Sequence, residues 1–288
     1  MKLQYLGTGG GAGLPEMFCS CRICEHARKK QGKEMRNRPL AILNDELCID
    51  LPCDARSSFL QHQVDARRIR YLLVTHSHYD HFLMENLLSR PEGKEPIQMY
   101  ISRKSGENLE TACEKFRRQP KKEGICPVCC PEIHFAKQFV PITLNGPEEN
   151  RAESGTYEIV PLPANHDASV ESLNYLISTQ GKHVLWLHDT GLLKMETIAY
   201  LKENPVEFDM ISMDCALARG KYSSSEHMDI LQCSQTIEML RQFGCVRPET
   251  RIYLSHIGHL VERTHEELCE EAKGLGFSVA YDGMTVEI

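Results

Sequence analysis

Thr75-His76-Ser77-His78-Tyr79-Asp80-His81 follows the apolar run Ile69-Arg70-Tyr71-Leu72-Leu73-Val74 and precedes Phe82-Leu83-Met84-Glu85-Asn86-Leu87-Leu88. The first run is short, β-branched and aromatic, which predicts a buried strand; the last has the length and mixture of an amphipathic helix. Three histidines and an aspartate therefore fall between a strand end and a helix start. In an extended loop, residues two apart point the same way, so His76 and His78 can grip one cation. Asp80 and His81 point elsewhere and suit a second cation nearby. Isolated histidines have many uses, but this spacing has few.

Two cations need more ligands than this loop supplies, which directs the search to later strand ends. His166 follows Ile159-Val160-Pro161-Leu162-Pro163, Asp189 follows His183-Val184-Leu185-Trp186-Leu187-His188, and His256 ends Ile252-Tyr253-Leu254-Ser255. Alone, each reads as a satisfied polar residue at a strand end. Beside the first cluster, each sits where a metal centre at one edge of the sheets would recruit it, and a carboxylate such as Asp189 can bridge two cations.

Toward the amino end, residues 2–6 read as a strand running into Gly7-Thr8-Gly9-Gly10-Gly11-Ala12-Gly13. The dinucleotide spacing is absent and no clear helix follows, so the glycines read as a tight backbone turn near the site rather than a phosphate cradle. Cys19-Ser20-Cys21-Arg22-Ile23-Cys24 brings three thiols within six residues. In a reducing compartment that favours a tetrahedral zinc site needing a fourth ligand, for which His26 is the nearest of several candidates.

Elsewhere, Leu40–Leu43 and Glu46–Asp50 read as a hairpin about Asn44-Asp45, Ile97–Ile101 as a strand and Gly106–Arg118 as a helix. Strands are expected at Ile133–Val140, Thr156–Leu162, Ser172–Thr179 and His183–Leu187. Helices at Lys194–Glu203, Asp229–Phe243 and Val261–Leu275 alternate with strands at Phe208–Met213, Arg251–Leu254 and Ser278–Tyr281. Hairpins mixed with strand–helix units predict one α/β domain of layered sheets over residues 1–288. An insertion at about 119–132 carries Cys126, Cys129 and Cys130; its Cys-x-x-Cys reads equally as a further metal or redox site or as incidental surface thiols.

The chain has 288 residues, 41% of them hydrophobic, and 33 basic against 40 acidic residues give a net charge of −7. That balance, with no long basic run, disfavours nucleic acid as a partner. No apolar stretch approaches a membrane span, and the first residues do not form a signal peptide. Thirteen cysteines in that setting point to a reducing cytoplasm.

His76-x-His78-x-Asp80-His81, with His166, Asp189 and His256 in order, resembles the metallo-β-lactamase superfamily of binuclear hydrolases. The resemblance implies a four-layered αββα sandwich. It also implies one divalent metal ion on His76, His78 and His166, a second on Asp80, His81 and His256, and Asp189 between them. Leu6-Gly7-Thr8-Gly9, the cysteine cluster, Ile49-Asp50 and Asp54-x-Arg56 narrow this to the branch containing the phosphoribosyl cyclic phosphate phosphodiesterase; the pyrroloquinoline-quinone biosynthesis B protein shares part of that opening. By this resemblance Cys19, Cys21, Cys24 and His259 hold a structural zinc, making His259 the fourth ligand in place of His26. His227 matches a further active-site histidine, so His227 and Asp80 are the residues assigned to catalysis. The cysteine insertion departs from the family pattern.

The chemistry expected is hydrolysis. Two cations sharing a water lower its pKa far enough for hydroxide to exist at neutral pH, and metal-bound hydroxide attacks phosphorus in line. His227 would protonate the leaving oxygen. A small cyclic phosphodiester is the expected substrate and partner. A lactone or thioester hydrolase is the enzymatic rival, and a metal-binding factor resembling the quinone-biosynthesis protein is the non-enzyme rival. A transfer-RNA 3′-processing nuclease shares the ligand set but sits badly with the negative charge. Zinc, manganese or iron would suit the site, and a homodimer stays open.

Overall fold

The run at 69–74 becomes β4 (Tyr71–Leu73), an interior strand in the first of two seven-stranded sheets. The computed structural model describes residues 1–89, 95–117, 129–145, 155–222 and 224–288. The first sheet contains β1 (Lys2–Gly7), β2 (Leu40–Leu43), β3 (Leu47–Ile49), β4, β5 (Gln98–Ser102), β6 (Glu132–Ala136) and β14 (Thr285–Glu287), in the order β14-β1-β2-β3-β4-β5-β6. The second holds β7 (Ile142–Asn145), β8 (Thr156–Pro163), β9 (Leu173–Thr179), β10 (Lys182–Leu187), β11 (Phe208–Asp214), β12 (Val246–Ser255) and β13 (Ser278–Val279), ordered β13-β12-β11-β10-β9-β8-β7.

Alternation along the strands divides the apolar residues into three layers. Leu3, Tyr5, Leu47, Tyr71, Leu73, Tyr175, Val184, Trp186 and Met210 fill the space between the sheets. Leu72, Val74 and Cys48 face outward from the first sheet. Leu185, Leu187, Ile211 and Met213 face outward from the second, against Leu201, Ile237, Leu240 and Leu268 of the helices α5 (Met195–Glu203), α6 (Ile230–Gln242) and α7 (His265–Lys273). This is the α/β sandwich of two mixed sheets flanked by helices. Earlier in the chain come α1 (Arg22–Lys30), α2 (Ala55–Gln61), the short α3 (Arg103–Gly106) and α4 (Leu109–Arg117).

Several expected elements change. No α-helix forms at 82–88. Leu51 N donates to His81 O and Leu83 N to Leu51 O, so this backbone is held sideways in a bridge and only a 3₁₀ turn, Met84–Ser89, remains. The helix expected from Gly106 starts at Leu109, after the separate turn α3 that Ser102 caps. The helix expected from Val261 starts at His265, where Thr264 and Glu267 form a capping box. The strand expected to reach Val140 ends at Ala136. Glu132, placed in the insertion, pairs with Gln98 in the sheet. Cys126 lies outside the described residues, whereas Cys129 is half-buried and Cys130 buried. Helices α1 and α2 and the edge strands β7 and β14 had no clear sequence signal. Among the described residues, no helix is long and apolar enough to cross a membrane.

Strands β3, β4 and β5 run parallel, as do β10, β11 and β12. Their carboxyl ends lie at one edge of the sandwich, where open α/β sheets present ligand sites. Leu173 N donates to Thr75 O at 2.9 Å and the Tyr175 hydroxyl to Val74 O at 2.6 Å, locking the two sheet edges together there.

Candidate metal centre

Six chain segments deliver side chains to that edge. The loop after β4 carries His76, His78, Asp80 and His81; β8 leads to His166, β10 to Asp189, β11 ends on Asp214, and β12 leads to His256. His227 comes from the segment before α6. Asp50, Asp189 and His256 adopt left-handed backbone conformations with φ of 63°, 51° and 57°. Such strain in non-glycine residues persists where the surroundings over-determine it, and it collects at functional sites.

Asp189 is the hub. Its Oδ2 lies 3.2 Å from His76 Nε2, 3.1 Å from His81 Nε2 and 3.3 Å from His166 Nε2, and its Oδ1 lies 3.2 Å from His227 Nδ1 and 3.7 Å from His256 Nε2. Two groups share it. His76, His78, His166 and Asp189 each offer one ligand atom within 4.8 Å of the others, and so do Asp80, His81, Asp189 and His256. The structure thus gathers all seven residues singled out in the sequence. A third overlapping group adds Asp214 and His227 to Asp189 and His256.

The donor chemistry suits cations. His76 Nε2 and His78 Nδ1 face each other at 2.9 Å, and His166 Nε2 is 3.4 Å from the same Nδ1, although neutral imidazole nitrogens aimed at one another share at most one proton. His81 Nε2, His256 Nε2 and Asp189 Oδ1 are buried without a hydrogen-bond partner, a costly arrangement unless an ion completes it. Burial, followed by the charge of His81, pushes His76 down to about 3, which keeps its lone pair free. Burial alone would raise the carboxyl of Asp189, but His256, His76 and His81 outweigh it and hold the group well below the usual range.

Around these groups stand residues whose roles the sequence did not disclose. Asp50 Oδ2 meets His81 Nδ1 at 2.8 Å, while Thr75 donates its backbone N–H and hydroxyl to Asp50. Asp214 accepts from His227 Nδ1 at 3.0 Å and from the backbone N–H groups of Ala216 and Met228. Its Oδ2 is also 3.3 Å from His256 Nδ1, in ion-pair range but off the hydrogen-bond angle. Both carboxylates end apolar strands, as Asp189 nearly does, and that position was the one available signal. Burial opposes a charge on His227, but Asp214 and Asp189 prevail and lift it to about 9.

The glycine stretch packs rather than cradles. A Cβ on Gly7 would lie 1.8 Å from Arg38 O and one on Gly9 2.8 Å from Asn37 O, while Gly11 lies against Asp80.

The thiol cluster forms a separate group with His259. His259 Nδ1 is 3.1 Å from Cys19 Sγ, 3.8 Å from Cys21 Sγ and 3.6 Å from Cys24 Sγ, and no single nitrogen can satisfy three thiols. His26 is elsewhere, with Nε2 3.3 Å from Glu34 Oε1. The His259 Nε2 edge rests 3.2 Å from Glu16.

Comparison with known proteins bears on the same region. A family model described as a beta-lactamase superfamily domain matches residues 50–257. Among solved structures, a diphosphatase from the PhnP family is 20% identical with a TM-score of 0.72, over 100% of this chain and 97% of that one. Zinc-bound PqqB from Methylobacterium extorquens is 16% identical with a TM-score of 0.72 over 100% of both chains. The short form of human tRNase Z is 16% identical with a TM-score of 0.64, over 100% and 99%. At these identities the likeness is one of fold. An octanoyltransferase of Porphyromonas gingivalis is 34% identical over 85 residues, 28% of this chain; the chain spans only 16% of that relative's length.

Proposed function

Because this chain belongs to the beta-lactamase superfamily, we propose that it is a binuclear metal-dependent hydrolase, a phosphodiesterase acting on a small cyclic phosphodiester. The observation that carries this reading is Asp189, one carboxylate shared by two complete histidine–carboxylate groups. His76, His78 and His166 would hold one divalent ion and Asp80, His81 and His256 the other. Zinc, manganese or iron suits these donors. Such ions lower the pKa of a water and neutralise charge growing on phosphoryl oxygens. The fold shared with a PhnP-family diphosphatase, together with the Cys19, Cys21, Cys24 and His259 group as a structural zinc site, supports the phosphodiesterase branch.

The chain's own groups divide the work. Asp50, fixed by Thr75, holds the His81 ring and its tautomer. Asp80 supplies a carboxylate at the site edge beside Gly11. Asp214 occupies the Nδ1 edge of His227, which leaves Nε2 to give a proton to the departing oxygen. Asp214 and Asp189 favour the protonated ring, the form that has a proton to give.

The deciding experiment is hydrolysis of a panel of cyclic and linear phosphodiesters, a lactone and a thioester, with metal content measured on the same sample. Turnover of phosphodiesters by protein with two metals beyond the thiol site supports the reading; turnover confined to the carbonyl substrates overturns it. The fold shared with zinc-bound PqqB favours a second reading, a metal-binding factor. Folded protein holding only the thiol-site metal would support that instead.

A further inference from the structure

Each of the five imidazoles in the two shared groups turns one nitrogen inward; two hydrogen-bond the other to a buried neighbour, a third faces a buried carboxylate, and the outer Nδ1 of His166 is buried with no hydrogen-bond partner among the described residues. His81 Nδ1 rests on Asp50, His76 Nδ1 is 3.1 Å from Thr75 Oγ1, and His256 Nδ1 faces Asp214. His78 is the reverse. Its Nδ1 is the inward atom, beside His76 and His166, and its Nε2 meets Asp167 Oδ2 at 3.2 Å. The side chains of His78 and Asp167 are 34% and 38% exposed, whereas Asp50 and Asp214 are fully buried.

Asp167 is nevertheless built into place. Ser169 N donates to its Oδ1 at 2.7 Å. The loop that carries it is tied to α3, where Lys104 Nζ donates to Ala168 O at 2.6 Å and the Ser105 hydroxyl donates to Val170 O. A carboxylate accepting the Nε2 proton fixes the tautomer in which the Nδ1 lone pair points inward and makes that nitrogen a stronger donor.

We infer that Asp167 is the positioning residue for His78, and that the His76, His78 and His166 position is the exchangeable half of the metal pair. The inference rests on reading the two groups as cation sites. Water competes for the half-exposed His78–Asp167 hydrogen bond, so this position releases and accepts its ion first, while the other position keeps the buried Asp50–His81 bond and the buried Asp214 carboxylate beside His256.

The test is cobalt(II) titration of metal-free protein, followed by its absorption spectrum, because thiolate ligation is spectrally distinct from nitrogen and oxygen ligation. In the parent chain, two cobalt ions with nitrogen and oxygen ligands should bind with unequal affinity. Asp167→Asn should weaken the weaker of them by roughly ten- to a hundredfold, leave the tighter one and the thiolate-bound ion alone, and leave the melting temperature of the metal-free protein unchanged. Asp167→Glu should restore part of the affinity. Asn at 167 with both affinities at parent values, or both reduced equally, overturns the role of Asp167 while the cation reading survives. A parent chain that binds cobalt only through thiolates overturns both.

Discussion

The Nδ1 atom of His227 lies 3.0 Å from Oδ2 of Asp214, and that oxygen is also 3.3 Å from His256 Nδ1. One buried carboxylate therefore faces both the proposed acid and a proposed metal ligand. Asp214→Asn should lower the affinity for one metal by roughly ten- to a hundredfold and slow turnover even at saturating metal. Metal titration alongside activity separates the two effects. Loss of turnover with unchanged metal affinity would leave Asp214 acting through His227 alone.

His227→Ala should slow diesters with poor leaving groups by roughly a hundredfold or more, the usual reach of acid catalysis, and activated aryl esters much less. The check is kcat across a series of leaving-group pKa values. Equal losses on both kinds of ester would remove His227 from the acid role.

Cys21→Ser should remove one metal per chain without emptying the histidine centre, and should lower the melting temperature by several degrees, because a structural metal contributes to folding free energy. Metal analysis and calorimetry on one sample test this. Burial opposes ionisation of Cys21, but the Cys24 backbone N–H and neighbouring thiols draw its pKa down to about 7, so a thiolate is available near neutrality.

His265 gives a pH signature away from the site. Arg36 Nη2 is 3.0 Å from its Nδ1, and burial followed by Arg36 and Lys33 lowers it from 6.5 to about 4. The unfolded chain takes up this proton below 6.5 while the folded chain refuses it until about 4. Stability from this group is therefore full above 6.5 and lost as pH falls through that window. Discounted for its partial exposure, the loss should be about 1–2 kcal/mol. Denaturant midpoints for His265→Gln should show a shallower decline between those pH values; an unchanged slope would exclude His265 as the source.

Gly7→Ala should cost on the order of 3 kcal/mol or more, since the added methyl meets Arg38 O and the backbone must shift. Gly32→Ala, with open space but a φ of 60°, should cost less. Thermal unfolding of the two variants orders them.

How far the sequence led depended on range. Strand runs and the His76–His81 loop were legible because alternation and ligand spacing are local. The 3₁₀ turn at 84–89 was not, since Leu51 decides it from more than thirty residues away. Short edge strands such as Ile142–Asn145 owe their state to a neighbour. Seven candidate ligands could be named because metals demand particular side chains. Asp50, Asp167 and Asp214 could not be given roles: an aspartate that supports a histidine looks, in one dimension, like any other aspartate.

The thiols of 19–24 meet an imidazole 235 residues further along from Cys24. An ion gripped there would act as a rivet between distant points of the strand order, narrowing the wanderings of the opened chain much as a crosslink over a long loop does. Since Ile257 N also donates to Thr8 O, the stitch reaches within a few residues of His256. Stripping that rivet would therefore be felt as slackness in the catalytic edge as well as in the arm it fastens, and proteases would find the arm before they found the sandwich.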